Sequence, residues 1–350
     1  MRLLLAPLAA CLLPAADLNV RDFGALGDGE TDDRPALQRA FDAAAGRCVR
    51  FPPGAYRISS ALTLTRSESC LIGGPGVVIR NTFPLEGAPR DGFRIGIPSA
   101  RDGGTGTHIA HSDIRVSGFH FTGTRIGVWI VYSRRVTVEN ISTDGYAAVA
   151  AGNDNDDDCE DIVIRNVTRT GPSPGHWYTA AVFKTRRFLI DGVFSPFPNG
   201  NSMHVAAANS ERGVITNIIA EGDSRSRGSG IELIDSRYVT VSNFHIRNVK
   251  KGVVAYCGRK LCTGPGHRIE SFHTIGPGSV AGSTDAIFLY TSRNLVTGVN
   301  TSANLTSLRF GTDARDNLIA ASYLQEAILE PREALSRNRV DTSPASPPLR

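Results

Sequence analysis

The chain has few aromatic residues and carries no strong charge of either sign. Only 7% of its 350 residues are aromatic, and it contains two tryptophans and two methionines. The formal net charge is +4; residues 1–16 hold +1 and residues 331–350 hold +2, which leaves about +1 for the body (4 − 1 − 2). This charge is too weak to indicate nucleic acid as a partner. Beyond residue 16, no apolar run is long enough to span a bilayer.

The first 16 residues are typical of a secretory signal, because Arg2 precedes an apolar run that ends in small residues. This pattern predicts a secreted or periplasmic product. The run from Leu8 to Cys11 also resembles a bacterial lipoprotein cleavage site. A lipid anchor is therefore an open alternative to a freely exported protein, whereas a transmembrane span is not expected.

One short phrase returns at nearly constant spacing through the middle of the chain. Each copy alternates apolar and polar residues, the period of a half-buried strand, and ends in Asn or Gly. The closing positions are 26, 26, 25 and 26 residues apart. A fixed period of this size indicates a repeat architecture. The five copies are Val136–Asn140, Ile162–Asn166, Phe188–Gly192, Gly213–Asn217 and Val239–Asn243.

A second strand-like segment precedes most copies, as in Gly230–Asp235 and Ala286–Tyr290. Two strands, a bend at Asn and a variable loop in about 25 residues make one coil of a solenoid. We therefore predict an all-β, single-stranded right-handed parallel β-helix over residues 17–330, with a disordered tail at 331–350. The bend asparagines are expected to form an internal ladder. An antiparallel sandwich is the alternative, but the two-residue hairpin turns that it needs are largely missing.

Five cysteines remain beyond Cys11. The 22-residue separation of Cys48 and Cys70 is about one coil, so these two residues are predicted to bridge neighbouring rungs. Cys257 and Cys262 are close enough in sequence to form a disulfide that closes a small loop. Cys159 then has no predicted disulfide partner. Five buried thiols are the alternative.

The start of the mature chain predicts a strand, a Gly-rich turn and then a helix. Asp32 or Asp33 is the expected helix cap, Pro35 lies in the first turn, and Leu37 and Phe41 share one face. A solenoid end exposes unpaired strand edges and an apolar core, so this helix is expected to cap it.

The segments Asn19–Gly29, Thr31–Asp33 and Phe51–Tyr56 resemble the N-terminal signature of the pectate-lyase-like superfamily. That superfamily includes polysaccharide lyases, glycoside hydrolases, mannuronan C5-epimerases and phage tailspike depolymerases. The resemblance implies a parallel β-helix that processes a polysaccharide. It covers roughly residues 18–65, so it implies the fold more strongly than the chemistry.

Glu232 is the sharpest candidate catalytic residue. Ile231 and Leu233 are expected to point inward, so Glu232 points outward, with Trp129, Val254 and Phe288 as its counterparts on other coils. A lone carboxylate among such neighbours should have a raised pKa, which suits an acid or a base. Asp235 and Asp223 are candidate second carboxylates, because glycoside hydrolysis requires two. A solvated surface position is the alternative for each.

Several further residues are candidates because long loops recur before successive strands and should align on one flank. Arg225, Arg227 and Lys184 suit a uronate carboxylate, and His204 or Lys184 could act as the base of a lyase. Aromatic side chains there suit sugar stacking, and ordinary surface or structural positions are the alternatives. The predicted sugar contacts are Trp177, Tyr178 and Trp129.

The acidic run Asn153–Asp161 offers carboxylate oxygens, so calcium is a possible cofactor. The run lacks the ligand spacing of an EF-hand loop, and a solvated loop is the favoured interpretation. No metal ligand is assigned.

The chain departs from two motifs of the superfamily. It lacks the Gly-Asp-Asp phrase of polygalacturonases, and Gly145–Gly152 stands where the epimerases carry Tyr followed by Asp-Pro-His. The sequence therefore predicts an exported enzyme that acts on an acidic polysaccharide by β-elimination or hydrolysis. A non-catalytic glycan-binding or structural solenoid, or a sugar epimerase or transferase, is the alternative.

Overall fold

A computed structural model describes residues 16–82, 91–97, 110–152, 158–172, 178–197, 204–222, 228–257, 266–275, 285–302, 306–312, 314–320, 322–324, 327–329 and 337–341. Within these ranges the chain is built almost entirely of short strands, with a 3₁₀ helix at Val20–Phe23 and an α-helix, α1, at Arg34–Asp42. The strands are β1 (Leu18–Asn19), β2 (Asp28–Asp32), β3 (Cys48–Arg50), β4 (Gly54–Ile58), β5 (Leu62–Leu64), β6 (Cys70–Ile72), β7 (Val77–Asn81), β8 (Phe93–Ile95), β9 (His111–Thr122), β10 (Ile126–Ile130), β11 (Ser133–Thr143), β12 (Ala147–Ala151), β13 (Cys159–Arg169), β14 (Ala180–Phe183), β15 (Thr185–Ser195), β16 (Val205–Ala208), β17 (Glu211–Glu221), β18 (Ser229–Ile234), β19 (Arg237–Arg247), β20 (Lys251–Tyr256), β21 (Arg268–Ile275), β22 (Asp285–Leu289), β23 (Leu295–Ser302), β24 (Thr306–Phe310), β25 (Leu318–Ala320), β26 (Tyr323–Leu324), β27 (Ala327–Leu329) and β28 (Arg339–Asp341).

The strands form two sheets that run along the solenoid. Sheet A has 17 strands, which include the long strands β9, β11, β13, β15, β17 and β19. Sheet B is the stack β5-β8-β10-β12-β14-β16-β18-β20-β22-β24-β27. Neighbouring strands pair in parallel and belong to successive coils, for example Val136 with Ile162 and Ile162 with Phe188. The predicted parallel β-helix is confirmed.

The core lies between the two sheets and is filled by alternate residues of each strand. In β18, Ile231 and Leu233 are fully buried in this core, whereas Glu232 between them is not part of it. Aromatic rings are concentrated near the N-terminal end, where Phe93 lies edge-on to Phe119 and Phe121 with ring centroids 4.9 and 5.0 Å apart. In the later coils the core is mainly aliphatic, with Phe188, Phe244 and Phe310 among its side chains. A thin solenoid needs few rings, which explains the low aromatic content.

Helix α1 lies over this aromatic region. Leu37 and Phe41 are fully buried, and the Phe41 ring lies 5.4 Å from that of Phe93. Asp33 occupies the N-cap position, but its carboxylate accepts hydrogen bonds from the backbone of Leu26 and Gly27 at 2.6 and 2.9 Å instead of capping the helix. The helix is thus found where the sequence predicts it, and its role as a cap stays a prediction.

The coils turn at residues in the left-handed backbone region. One such row contains Asn140, Asn166, Asn217 and Asn243, with φ between 47° and 57°. The Asn166 amide donates to Asn140 Oδ1 at 3.2 Å, and the Asn243 amide donates to Asn217 Oδ1. The predicted ladder is therefore present. These side chains are exposed, however, so the expectation that they are internal was wrong: the tight turn projects them outward.

A ladder of charged side chains runs parallel to the asparagines. The register of sheet A aligns alternating charges on five successive coils: Arg134, Glu160, Arg186, Glu211 and Arg237. The carboxylates pair with the arginine of the following coil, at 2.7 Å for Glu160 and Arg186 and 2.6 Å for Glu211 and Arg237. Each such exposed pair is worth little alone, but the row specifies the coil register.

The cysteines agree with part of the prediction. Cys48 and Cys70 are paired in register on β3 and β6 and form a disulfide. Cys257 is also disulfide-bonded, whereas Cys262 lies outside the described residues. The thiol of Cys159 is buried and donates to the carbonyl of Ile130 at 3.7 Å.

The N-terminal signal and most of the C-terminal tail lie outside the described residues. Among the helices that the structure does describe, none is long and apolar enough to cross a membrane.

Replacement of Phe93 by Ala should lower the free energy of unfolding by about 3–5 kcal/mol, because the ring is fully buried among other rings and leaves a cavity. Phe194→Ala is the matched control, since Phe194 is 46% exposed and should change the free energy by no more than about 0.5 kcal/mol. Urea denaturation followed by circular dichroism measures both. Equal effects of the two substitutions would contradict this placement of the core.

Candidate functional site

One row of side chains runs along the outer face of sheet B. The parallel register joins Glu232 to Ala206 on one side and to Val254 on the other. The same register connects Trp129 and Phe288 to this row, as the sequence predicts for the counterparts of Glu232. We call this set the outer row. Its members are Thr63, Arg94, Trp129, Ala150, Ala181, Ala206, Glu232, Val254, Phe288 and Arg309.

Glu232 occupies a half-buried position in the outer row. Burial of the carboxyl between apolar neighbours raises the pKa of Glu232 above its ordinary value of 4.5. The hydroxyl of Ser229 and the charge of Lys251 act in the opposite direction and offset part of this rise. The apolar neighbours and the raised pKa expected for Glu232 are therefore present, whereas the nearby cation Lys251 was not expected, and the catalytic role of Glu232 stays a prediction.

Charged and aromatic groups surround the end of the outer row beyond Glu232. The Lys251 Nζ atom lies 5.4 Å from the centroid of the Phe288 ring, and the Arg309 guanidinium lies 5.6 Å from it. Arg309 Nε donates to Asp285 Oδ1 at 2.9 Å, which neutralises this buried carboxylate. The Tyr290 ring is 42% exposed and packs 4.2 Å from Phe288.

The sequence analysis missed three of these groups. Lys251 and Asp285 stand at the first positions of β20 and β22, before the apolar alternation begins. Arg309 lies between two inward residues of β24, and counting on by one coil from Phe288 would have located it. The alternation of residues within a single strand therefore predicts which side chains belong to the outer row. The residues at the strand starts can be placed only when the register between coils is known.

The opposite end of the outer row is built around Trp129. Its ring is 4% exposed, with the guanidinium of Arg94 at 5.3 Å and that of Arg125 at 5.7 Å from the centroid. Both arginines contact the buried carboxylate of Asp91, at 2.9 and 3.3 Å. The Trp129 Nε1 atom donates to the carbonyl of Gly152 at 3.1 Å. A ring held in this way has little surface for a sugar, so we correct the predicted role of Trp129 to a structural one.

Between the two ends the outer row is made of alanines. Ala150, Ala181 and Ala206 are successive members and are almost fully buried. The half-buried ring of Tyr178 packs against Phe183 at 5.2 Å in the apolar cluster that also contains Ala181 and Ala206. Tyr178 thus lies beside the outer row, where the sequence predicts a sugar contact.

His204 is buried inside the solenoid. It is 1% exposed, and its Nδ1 atom lies 2.7 Å from the hydroxyl of Ser195. Ser195 contacts Thr179 at 2.9 Å, which in turn accepts from the buried guanidinium of Arg169 at 3.1 Å. Burial, with a smaller contribution from the charge of Arg169, lowers the pKa of His204 to about 3. A residue in this position has no access to a polysaccharide, so the predicted role of His204 as a lyase base is corrected to a structural one.

Lys184 and Asp235 lie at the corner where sheet B passes into sheet A. Both adopt the left-handed backbone conformation, with φ of 43° and 48°. The backbone amide of Lys184 donates to Ala208, and that of Asp235 donates to Tyr256. Asp235 lies three residues beyond Glu232, roughly 10 Å along the strand. The structure thus places Lys184 and Asp235 away from the centre of the outer row.

The remaining predicted site residues lie outside the described residues: Trp177, Asp223, Arg225 and Arg227. The same holds for most of the acidic run proposed for calcium. Of its described members, Glu160 and Asp161 contact Arg186 and Arg187. In the part of the chain that the structure describes, no group of three or more His, Cys, Asp or Glu side chains is arranged to hold a metal ion.

The comparisons with known proteins agree with this fold. Residues 18–88 match the family model described as rhamnogalacturonase A/epimerase, pectate lyase-like. The resemblance to the pectate-lyase-like superfamily is confirmed. The solved A-module of mannuronan C-5 epimerase AlgE4 of Azotobacter vinelandii aligns over 93% of this chain and 100% of its own, with a TM-score of 0.54 and 18% identity. At this identity the likeness shows the fold alone, a right-handed parallel β-helix.

Two curated relatives illustrate different functions on this fold. Mannuronan C5-epimerase AlgE6 of Azotobacter vinelandii is 28% identical over 212 residues, which are 56% of this chain and 22% of that protein. Plasmin and fibronectin-binding protein A of Streptococcus pneumoniae is 32% identical over 179 residues, which are 50% of this chain and 23% of that protein. The matched segments thus span less than a quarter of either relative.

Acid should destabilise the protein through His204. The folded state holds this imidazole neutral, with a pKa of about 3, whereas the unfolded chain binds a proton near the ordinary value of 6.5. The stability contributed by neutral His204 is therefore present above pH 6.5 and is lost as the pH falls toward 3. Urea denaturation at several pH values should give a shallower pH dependence for His204→Gln than for the wild type.

His120→Gln is the control for this measurement, because His120 is only partly buried and contacts Ser142 on the surface of sheet A. It should retain the wild-type pH dependence. A His204→Gln protein with the wild-type slope would show that His204 does not carry this proton linkage.

Proposed function

We propose that this chain is an exported carbohydrate-active enzyme that acts on a uronate-containing polysaccharide by removing the proton at C5 of a uronate residue. The observation that carries this proposal is Glu232, a half-buried outer-row carboxyl with a raised pKa and a lysine nearby. The match to a protein named as a mannuronan C5-epimerase supports the substrate class.

In the proposed first step, the Glu232 carboxylate accepts the C5 proton, and the electron pair of the broken C–H bond moves onto the uronate carboxylate. The raised pKa makes Glu232 a stronger base than an exposed Glu. The ammonium group of Lys251 lies near enough to interact with Glu232 and would stabilise the charge that develops on the sugar. Epimerisation follows if a proton returns from the opposite face; β-elimination follows if the electrons form the C4–C5 double bond and expel the C4 oxygen.

Hydrolysis fits the described residues less well. It requires two carboxyl groups that share one glycosidic bond. Of the carboxylates near Glu232, Asp285 is buried and paired with Arg309, and Asp235 lies at the corner between the sheets. A single protonatable carboxyl beside a cation is the arrangement expected for proton abstraction, so we favour epimerase or lyase chemistry over hydrolysis.

A glycan-binding solenoid without catalysis is the second candidate. One observation favours it: the middle of the outer row is made of alanines, which supply no catalytic group. A relative named for binding the proteins plasmin and fibronectin supports a non-catalytic role in general and not a glycan ligand. In this case the charges around Phe288 would hold a ligand without exchanging a proton. The two functions differ in what a change at Glu232 does to turnover.

Glu232→Gln should abolish turnover while leaving the fold intact. Loss of a general base lowers the rate by about 10²–10⁴-fold, and the neutral amide also removes the cost of burying a charge, so stability at neutral pH should be equal or higher. The assay incubates the protein with mannuronan and other acidic polysaccharides in D₂O and follows deuterium at C5 by NMR, beside the absorbance of unsaturated uronates and the release of reducing ends.

Glu139→Gln is the matched control, because Glu139 is a glutamate of sheet A that is ion-paired with Arg115 and lies away from the outer row. It should retain wild-type exchange. Deuterium at C5 without new double bonds identifies an epimerase, and absorbance of unsaturated uronates, whose C5 carries no hydrogen, identifies a lyase. Reducing ends alone would contradict the proposal in favour of hydrolysis, and binding without any turnover would support the second candidate.

The pH dependence gives a separate test of the base role. Because the carboxylate form of Glu232 is the active one, kcat/KM should rise with pH, and the midpoint of this rise should lie above 4.5. The midpoint is measured from initial rates across the acidic range. A rate that falls as Glu232 ionises would mean that this residue acts as an acid.

A further inference from the structure

An exposed tyrosine lies beside the outer row, on the side of the later coils. Tyr290 is 42% exposed, and its ring packs against that of Phe288 with the centroids 4.2 Å apart and the planes inclined by 38°. Leu289 between them belongs to the core, so both rings lie on the outer face of sheet B. Phe288 thus supports the Tyr290 ring from below, and the exposed part of this ring is open to a ligand.

A glycine of the next coil determines where the Tyr290 ring lies. The amide of Gly311 donates to the carbonyl of Leu289 at 2.8 Å, which places Gly311 beside Tyr290. A Cβ atom at residue 311 would lie 2.1 Å from Cδ1 of Tyr290, which is too close for any side chain. The ring therefore lies directly against the backbone of Gly311. Because it is held between this glycine and Phe288, little side-chain entropy is lost when a ligand packs on it.

A second tyrosine takes the same place on the preceding coil. Ala255 pairs with Leu289 in register, and the amide of Tyr290 donates to the carbonyl of Ala255 at 2.8 Å. Tyr256, which follows Ala255 at the end of β20, therefore stands beside Tyr290, and its side chain is half-buried. We call Tyr256, Phe288 and Tyr290 the aromatic platform.

The aromatic platform is aligned with Glu232 along the solenoid axis. Ile234, two residues after Glu232 in β18, pairs with Tyr256. Tyr256 and Tyr290 thus lie one and two coils beyond Glu232, which is about 5 and 10 Å at the usual strand spacing. One residue of an extended 1,4-linked sugar chain has a length similar to one coil step. A polysaccharide that lies along the axis with one residue at Glu232 therefore has its next residues over the platform.

The charged groups near the platform already interact with one another. Arg309 Nε donates to Asp285 Oδ1 at 2.9 Å, and the charge of Lys251 acts on Glu232. The open surface at Tyr290 is instead an aromatic ring, and such a ring packs against the C–H groups on one face of a sugar. The contact expected here is therefore stacking, which depends little on ionic strength.

We propose that the aromatic platform binds the sugar residues next to the reacting one, with the Tyr290 ring stacked on the second of them. The site extends the outer row toward the later coils, and its ligand, a polymer of sugar rings, rests on the proposed function. Stacking at Tyr290 supplies binding energy away from the reacting carbon. It thereby holds the polymer along the axis with C5 of one residue at Glu232.

Calorimetric titration with a mannuronate hexamer tests the platform. The measurement uses Glu232→Gln protein, so that the ligand is not converted. Adding Tyr290→Ala should lower the affinity about tenfold, because it removes an aromatic anchor. Tyr290→Phe keeps the ring and should retain most of the affinity. In protein with Glu232 intact, Tyr290→Ala should raise KM more than it lowers kcat.

Gly311→Ala displaces the Tyr290 ring without removing it. It should also weaken binding, but it should have no further effect in Tyr290→Ala protein, where there is no ring to displace. Tyr238→Ala is the matched control, because Tyr238 is 50% exposed and lies on β19 of sheet A. It should leave the affinity for the hexamer unchanged.

An unchanged affinity after Tyr290→Ala would overturn the proposal, and so would a hexamer that does not bind at all. If the hexamer binds without turnover, the proposed function fails, and a loss of affinity in the Tyr290→Ala protein still supports the platform. Turnover with an unchanged KM after Tyr290→Ala would overturn the platform alone. The two failures are therefore distinguishable.

Discussion

The register between successive coils is the constraint on which the rest of this structure depends. Each strand forms parallel hydrogen bonds with the same element of the coil before and after it, so one residue in each coil takes one place in a row. A side chain therefore has two closest neighbours that are distant in sequence. Glu232 has Ala206 and Val254, which is why a carboxyl on an outer face is half-buried among apolar atoms and has a raised pKa.

The same constraint explains how far the sequence could be interpreted. The repeated phrases predict the coils, the bend at Asn140 and its counterparts, and the bridge from Cys48 to Cys70, because each depends only on spacing. The outward direction of Glu232 follows from its own strand. His204 was misplaced because it precedes its strand, where alternation gives no direction, and its burial depends on Ser195, Thr179 and Arg169 from other segments.

Polar groups at strand starts were the second limit of sequence-based prediction. Lys251 and Asp285 lie beside the outer row only because two coils stack with these positions in register. Their charges then determine the field near Glu232 and Phe288. The stacking of coils thus brings the residues of the candidate site together. The pattern within one strand predicts Glu232, but it does not predict the charged residues around it.

The outer row and the charge ladder of sheet A use charge in different ways. Near Glu232, burial raises the pKa of one carboxyl, and the neighbouring carboxylate Asp285 is neutralised by Arg309. In the ladder, the carboxylates of Glu160 and Glu211 are paired with exposed arginines of the following coils. The first arrangement suits a reaction, and the second specifies how neighbouring coils stack.

The charge ladder also has a consequence for how such a solenoid can change in length. Its sign alternates from Arg134 to Glu160 to Arg186, so the pattern repeats every two coils although the backbone repeats every one. Duplication of a single coil would place two like charges in register, which is destabilising, whereas duplication of a pair of coils would preserve the alternation. In this part of the chain, lengthening or shortening is therefore favoured in steps of two coils.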